Sequence, residues 1–210
     1  MRIRYSVCLL LIGLVPSACQ DEADMELSVV VDAEIGNMRE MYNWMTMYKN
    51  QHQKAWPQQT GQGFLLELWQ SGVMEHNEKN ARRFFSAAET YAEWMEINGC
   101  DPTAKTPVDY LSDLEGRDSF AINFAAFDPQ GDPDLADWLN DAPETITIMA
   151  NATFAHREWI YYMTGDGDVF KLSIQDLINR GLLTEEDWML GEVPVGKDSP
   201  IEELRTVTTN

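Results

Sequence analysis

Residues 156–172 have the sequence HREWIYYMTGDGDVFKL, which contains the clearest local fold signal in the chain. Two short runs, 159–163 and 169–172, are rich in β-branched and aromatic residues, as strands are. The segment 164–168 between them contains two glycines, which allow the positive φ that a tight hairpin needs. The stretch therefore predicts a β-hairpin.

Two further segments upstream show the alternation of a half-buried strand. In 119–127 (SFAINFAAF), apolar side chains recur at every second position, and the same holds in 145–150 (TITIMA). Together with the hairpin, they predict a small antiparallel sheet formed by the second half of the chain.

Helical spacing dominates the first half of the chain. Between residues 32 and 53, apolar side chains recur at intervals of three and four, which predicts a long amphipathic helix that ends before Pro57. A second helix is predicted to end at Gly72, and the pair Ser86 and Glu89 matches a capping box for a third that ends at Gly99. A last short helix is predicted from Ser173. The apolar stripe of the long helix predicted at 32–53 consists of Ile35, Met38, Met41, Tyr42, Met45 and Tyr48.

Helices followed by adjacent strands indicate an α+β fold, with one long and several short helices packed on a small antiparallel sheet. The predicted organisation is a signal peptide at 1–18, an acidic tether at 19–31, a globular domain at 32–190 and a loose C-terminal tail at 191–210. The segment 101–118 is predicted to be a surface loop that could contain a turn of helix around 110–114.

The overall charge limits the classes of partner. The chain has 210 residues and a formal charge of -20, so it would be repelled by nucleic acid and by anionic lipid surfaces. We therefore expect no nucleic-acid binding. The length and the hydrophobic content of 44% suit a single core.

The N-terminus is typical of an exported protein. Arg2 and Arg4 precede an apolar run at 7–15, which is signal-peptide order. The segment 17–19 (SAC) resembles the end of a bacterial lipobox, although Pro16 stands where that pattern has Leu. The resemblance implies lipidation of Cys19, and Gln20 favours the outer membrane, facing the periplasm. The alternative is ordinary signal cleavage, with a Cys19–Cys100 disulfide.

The spacing of His156, Asp166 and Gly167 resembles the H-x9-D-G signature of the prepilin-type processing-associated proteins, relatives of type II secretion pseudopilins. Segments 37–48, 56–57 and 63–66 follow in the family's order, so the resemblance covers about residues 32–183. It implies a pseudopilin-like head in which the motif is structural, and partners among envelope or secretion proteins. Two features depart from the family, because the chain lacks the long apolar pilin helix and has Arg157 where relatives have glycine.

Two candidate sites are considered beside this structural interpretation. Asp128, Asp132, Asp134 and Asp137 lie in one short acidic segment. They predict a calcium site, since calcium prefers oxygen ligands, and the alternative is that they form solvated surface. The resemblance points the same way, because related heads often hold calcium in a loop near the sheet.

The second candidate is the edge formed by His156, Asp166 and Asp168, which could serve a calcium-dependent enzyme or a ligand-binding protein. The sequence contains no G-x-S-x-G motif and no phosphate-binding loop. We therefore expect a non-catalytic, lipid-anchored envelope protein with a binding or scaffolding role, and no cofactor other than calcium.

Overall fold

The computed structural model describes residues 18–97, 99, 101, 103–114, 122–131 and 133–209. Most of the predicted signal peptide and Cys100 lie outside these residues. The first helix, α1, runs over Ala18–Gln51, so the segment predicted to be a tether is helical. As predicted, its Met and Tyr stripe faces the core, where Met38, Met41, Met45 and Tyr48 are buried.

Seven shorter helices follow α1 in the described part of the chain. The helices are α2 (Gln62–Gln70), α3 (Glu78–Ala81), α4 (Tyr91–Ile97), α5 (Pro107–Asp113), α6 (Pro133–Asp141), α7 (Ile174–Asn179) and α8 (Glu185–Leu190). Two of them, α5 and α6, lie in the polar segments predicted to be a surface loop and a calcium loop.

The helix predicted from Ser86 begins later than expected, at α4. Thr90 N donates to Glu93 Oε2 at 2.7 Å, and Glu93 N donates to Thr90 Oγ1 at 3.2 Å. These two bonds form the capping box four residues downstream of the predicted one.

The described strands form a single five-stranded antiparallel sheet, which confirms the α+β class. The strands are β1 (Phe124–Phe127), β2 (Thr147–Asn151), β3 (Trp159–Thr164), β4 (Val169–Ser173) and β5 (Val207–Thr208), in the spatial order β4-β3-β2-β1-β5. All neighbouring strands pair antiparallel. The apolar side chains of α1 and α2 cover one face of the sheet, and those of α7 and the C-terminal segment cover the other.

The C-terminal segment contradicts the prediction of a loose tail at 191–210. Val193, Ile201, Leu204 and Val207 are buried, and β5 adds an edge strand to β1. Burial of an aliphatic side chain contributes about 1.5–3 kcal/mol, so these four side chains fix the segment against the sheet in spite of its polar composition.

The predicted hairpin joins β3 to β4, with Met163 opposite Val169. Gly167 has φ +92°, and Thr164 Oγ1 donates to Asp166 Oδ1 at 2.6 Å within the turn. A Cβ atom on Gly167 would lie 2.7 Å from the ring of Tyr42. The turn therefore packs directly against α1, where only a residue without a side chain fits.

Candidate functional site

A buried carboxylate lies at the centre of the contact between α1 and the sheet. Glu34 is fully buried. Its Oε1 accepts from Asn151 Nδ2 at 2.6 Å and from Ser86 Oγ at 3.2 Å, and it lies 3.2 Å from His156 Nε2. Its Oε2 accepts from Ala87 N at 2.7 Å. We call Glu34, Ser86, Asn151 and His156 the Glu34 cluster.

Each member of the Glu34 cluster comes from a different segment. Glu34 lies on α1, Ser86 precedes α4, Asn151 ends β2, and His156 lies in the turn before β3. Asn151 Oδ1 also accepts from Tyr161 N at 2.7 Å, which ties the cluster to β3. Because four segments meet at one carboxylate, its loss would leave several buried donors without an acceptor.

The cluster has the residue types of a catalytic triad but not its geometry. In a triad, the two ring nitrogens of the histidine serve the acid and the nucleophile separately. Here the same atom, His156 Nε2, lies 3.3 Å from Ser86 Oγ and 3.2 Å from Glu34 Oε1. All three residues are at most 5% exposed, so the hydroxyl of Ser86 is largely shielded from solvent. The arrangement suits a structural contact.

The prediction that His156, Asp166 and Asp168 form one site at an edge of the sheet is wrong. His156 precedes β3 and the two aspartates follow it, and a six-residue strand separates its ends by on the order of 20 Å. His156 contacts Glu34, whereas Asp166 accepts from Thr164 Oγ1 and from Asp168 N inside the turn. The two parts of the signature therefore have separate partners.

The described part of the predicted calcium segment does not gather its carboxylates. Asp128 Oδ1 accepts from the backbone N–H groups of Gln130 and Gly131, each at 3.0 Å, while Asp134 and Asp137 lie exposed on α6. Asp132 lies outside the described residues. Among the residues that the structure describes, no three His, Cys, Asp or Glu side chains come together in a way that could hold a metal ion, so the calcium site stays a prediction.

A cleft of about 650 Å³ opens beside the Glu34 cluster. Its walls are formed by α4 with the residues before it, by Asn123, by the segment 153–157 before β3, and by α8 with the residues that follow it. Asn123 and Thr153 contribute buried polar atoms, Asn123 Oδ1 and Thr153 Oγ1, that have no hydrogen-bond partner in the structure. Native proteins pair nearly all buried polar atoms, so such orphans indicate a place that can accept a ligand or ordered water. We call this the Glu89 cleft, after the carboxylate that Asn123 contacts.

Glu89 has an unusual environment for an acid. Burial raises the pKa of Glu89, and the negative charges of Glu93 and Glu34 raise it further. The hydrogen bond from Asn123 Nδ2 to Glu89 Oε2, at 2.6 Å, opposes these effects. A nearby positive charge would stabilise the ionised form of a partly buried carboxylate of this kind.

Arg157 lies in the Glu89 cleft with a strained backbone. Its φ is +45°, a conformation that costs a residue with a side chain about 1 kcal/mol. Arg157, Trp188 and Met189 also line a second cleft of about 580 Å³, so these side chains separate the two clefts. Strained residues are often found at functional sites.

Most residues of this region carry no distinguishing signal in the sequence, although Glu34 does. Glu34 lies four residues before Met38 and thus continues the buried stripe of α1. A lone acid on an otherwise apolar stripe indicates a buried, partnered carboxylate. The pairing of Glu34 with Asn151 leaves no such signal, since the two residues are 117 positions apart.

Comparison of the chain with family models, with curated proteins and with solved structures finds no match. The resemblance to the prepilin-type processing-associated proteins therefore stays a prediction that depends on the signature and the order of elements. Within the described residues, no helix has both the length and the apolar character needed to cross a membrane.

Proposed function

We propose that the protein is an exported, lipid-anchored, non-catalytic envelope protein that binds a partner or ligand in the Glu89 cleft. The observation that carries the binding role is the pair of unpartnered buried atoms, Asn123 Oδ1 and Thr153 Oγ1, in a cleft large enough for a small molecule or a side chain. The shared ring nitrogen of His156 supports the non-catalytic role.

A pseudopilin-like head is part of this proposal. A long N-terminal helix packed on an antiparallel sheet, with an Asp-Gly turn in the last hairpin, supports it. The arrangement also gives the signature a physical role, because His156 contacts Glu34 and Gly167 packs against Tyr42, both on α1. Envelope or secretion proteins of a type II-like system are the proposed partners.

Lipid anchoring would hold the head at the membrane surface, with the outer membrane facing the periplasm as the proposed location. The support is the order of basic residues, apolar run and Ser17-Ala18-Cys19 at the N-terminus. Two acyl chains or more hold a protein stably at a bilayer, so no spanning helix is required.

The anchoring is tested by expression in a bacterial host with labelled palmitate. We expect the full chain to carry the label and to fractionate with membranes, and the Cys19→Ser variant to lose the label. The Cys100→Ser variant is the control and should keep it. A soluble, unlabelled product from the unmutated gene would contradict the anchored state.

A further inference from the structure

We propose that the Glu89 cleft binds a primary alkylammonium group, presented either by a free diamine or by a lysine side chain. This inference rests on the proposed binding role of the cleft and adds the chemical class of the ligand.

The unpartnered amide oxygen of Asn123 requires a ligand that donates a hydrogen bond. Asn123 is 1% exposed, and its Nδ2 is already used by Glu89 at 2.6 Å. This leaves Asn123 Oδ1, which can only accept, without a partner, and the Thr153 hydroxyl, which can donate or accept, is also unpartnered. An ammonium group carries three donors and no acceptor, so it complements these oxygens and the Glu89 carboxylate.

The charge of the cleft favours a cation. Three carboxylates line it, those of Glu89, Glu93 and Glu192, against the single guanidinium of Arg157, so the formal sum is 1 − 3 = −2. The charge of -20 on the whole chain adds a long-range attraction for cations. An anionic ligand would face the carboxylates and would leave the amide oxygen of Asn123 unpaired.

The walls of the cleft suit an alkyl stem behind the charged group. Phe154, Trp94, Trp188 and Met189 line it. Trp188 is 38% exposed and Met189 is 73% exposed, so an alkyl chain lying against them would cover apolar surface that now faces water. The indole faces also attract ammonium groups by cation–π interaction. A linear amine therefore matches both the polar and the apolar part of the cleft.

Calorimetric titration of the full chain with 1,5-diaminopentane tests the proposal. We expect the diamine to bind and 1,5-pentanediol, which has the same stem without charge, not to bind. Binding should weaken as salt is raised, because part of the attraction is electrostatic. Nα-acetyl-lysine amide, whose side-chain ammonium is free, distinguishes a lysine side chain from a free diamine. If it binds as tightly as the diamine, the ligand is a lysine side chain, and if the diamine binds more tightly, the ligand is a free diamine.

The Glu89→Gln variant supplies the decisive comparison, since it removes the charge but keeps an oxygen for Asn123. We expect it to lose at least tenfold in affinity for the diamine while its melting temperature at neutral pH stays the same or rises. Glu40→Gln is the matched control, because Glu40 is exposed on α1 and does not line the cleft. It should change neither quantity.

Three results would overturn the inference. One is the absence of binding by both amines to the folded chain. Another is equal affinity of the Glu89→Gln variant for the diamine. The third is binding of pentanoate instead of the diamine, which would leave the binding role of the cleft in place and change only the ligand class. The palmitate experiment tests anchoring independently of all three.

Discussion

The two ends of β3 hold α1 by different physical means. At the first end, His156 and Asn151 contact the buried carboxylate of Glu34. At the other end, Gly167 lies against the ring of Tyr42 because it has no side chain. Glu34 and Tyr42 are eight residues apart on α1, or about 12 Å along the helix axis. The end at His156 and Asn151, the polar end, is therefore held by polar contacts. The end at Gly167, the glycine end, is held by close packing that leaves no room for a side chain.

The two contacts explain how a His and an Asp-Gly at a fixed spacing can both be structural without forming one site. His156 and Gly167 have different partners, yet both partners lie on α1 and both contacts fix this helix against the sheet. The polar end should be sensitive to the loss of hydrogen-bonding groups, and the glycine end should be sensitive to added volume. Substitutions at each end therefore test whether the two contacts differ in this way.

The largest effect is expected at the polar end, from Glu34→Ala. The substitution leaves Ser86, Asn151, His156 and the Ala87 N–H without their common acceptor in a buried place. We expect a loss of about 3 kcal/mol or more in the free energy of unfolding, measured by urea denaturation. Glu40→Ala, on the exposed face of α1, should cost little. A loss below about 1 kcal/mol for Glu34→Ala would show that the cluster is not a structural centre.

The next effect concerns the glycine end, where a matched control exists. Gly167 has φ +92° beside Tyr42, whereas Gly196 has φ +94° and open space within 4 Å of the position that a Cβ atom would take. Both Gly→Ala substitutions introduce the same backbone strain of about 1 kcal/mol, but only Gly167→Ala adds a clash. We expect Gly167→Ala to lower the free energy of unfolding, measured in urea, by about 2–3 kcal/mol and Gly196→Ala by about 1 kcal/mol. Equal losses would mean that Tyr42 sets no limit on volume at this end.

A smaller effect, of opposite sign, is expected beside the polar end. Arg157 follows His156 with φ +45°, a conformation that glycine adopts without a steric penalty. We expect Arg157→Gly to raise the free energy of unfolding by about 0.5–1 kcal/mol, measured by thermal melting with the parent chain alongside. A lower melting temperature would show that the guanidinium makes stabilising contacts that outweigh the strain.

The smallest effect is the pH dependence that Glu89 contributes. Burial raises the pKa of Glu89 above its ordinary value of 4.5, so the folded state holds this proton at a higher pH than the unfolded state does. Stability should therefore fall as the pH rises from 4.5 through the folded-state pKa. We expect the difference in unfolding free energy between Glu89→Gln and the parent to grow over this range. A difference that is constant with pH would contradict the raised pKa.

The parts of the fold that the sequence predicts well are those with a local period. The Met stripe of α1 repeats at three and four residues, and the strands of the hairpin flank a glycine turn, so both follow from short-range pattern. The C-terminal segment has no period, and its burial depends on Val207 pairing with Phe127 far away in sequence.

The start of α4 shows the limit of a local rule. Ser86 with Glu89 and Thr90 with Glu93 have the same capping-box spacing, so the sequence favours neither pair. In the folded chain, Ser86 Oγ donates to Glu34 instead, and Thr90 caps the helix. Tertiary contacts therefore choose between two equivalent signals.

The candidate site is less predictable than the fold. The signature draws attention to His156, but its partner Glu34 lies on a different element, and no local pattern includes both residues. Asn123 and Thr153 are polar residues near the ends of strands, where the sequence does not distinguish them from surface positions. Their importance becomes visible only when the folded chain buries their polar atoms without partners.

A double-mutant cycle between Glu34 and His156 measures whether the histidine holds α1 on the sheet through the carboxylate. The free energy of unfolding is measured in urea for the parent, Glu34→Gln, His156→Ala and the double variant. If the two side chains hold α1 on the sheet through their contact, the cost of His156→Ala should shrink in the Glu34→Gln background, with a coupling energy of about 1–3 kcal/mol. Additive costs, within about 0.5 kcal/mol, would contradict the claim that the histidine of the signature acts through this carboxylate.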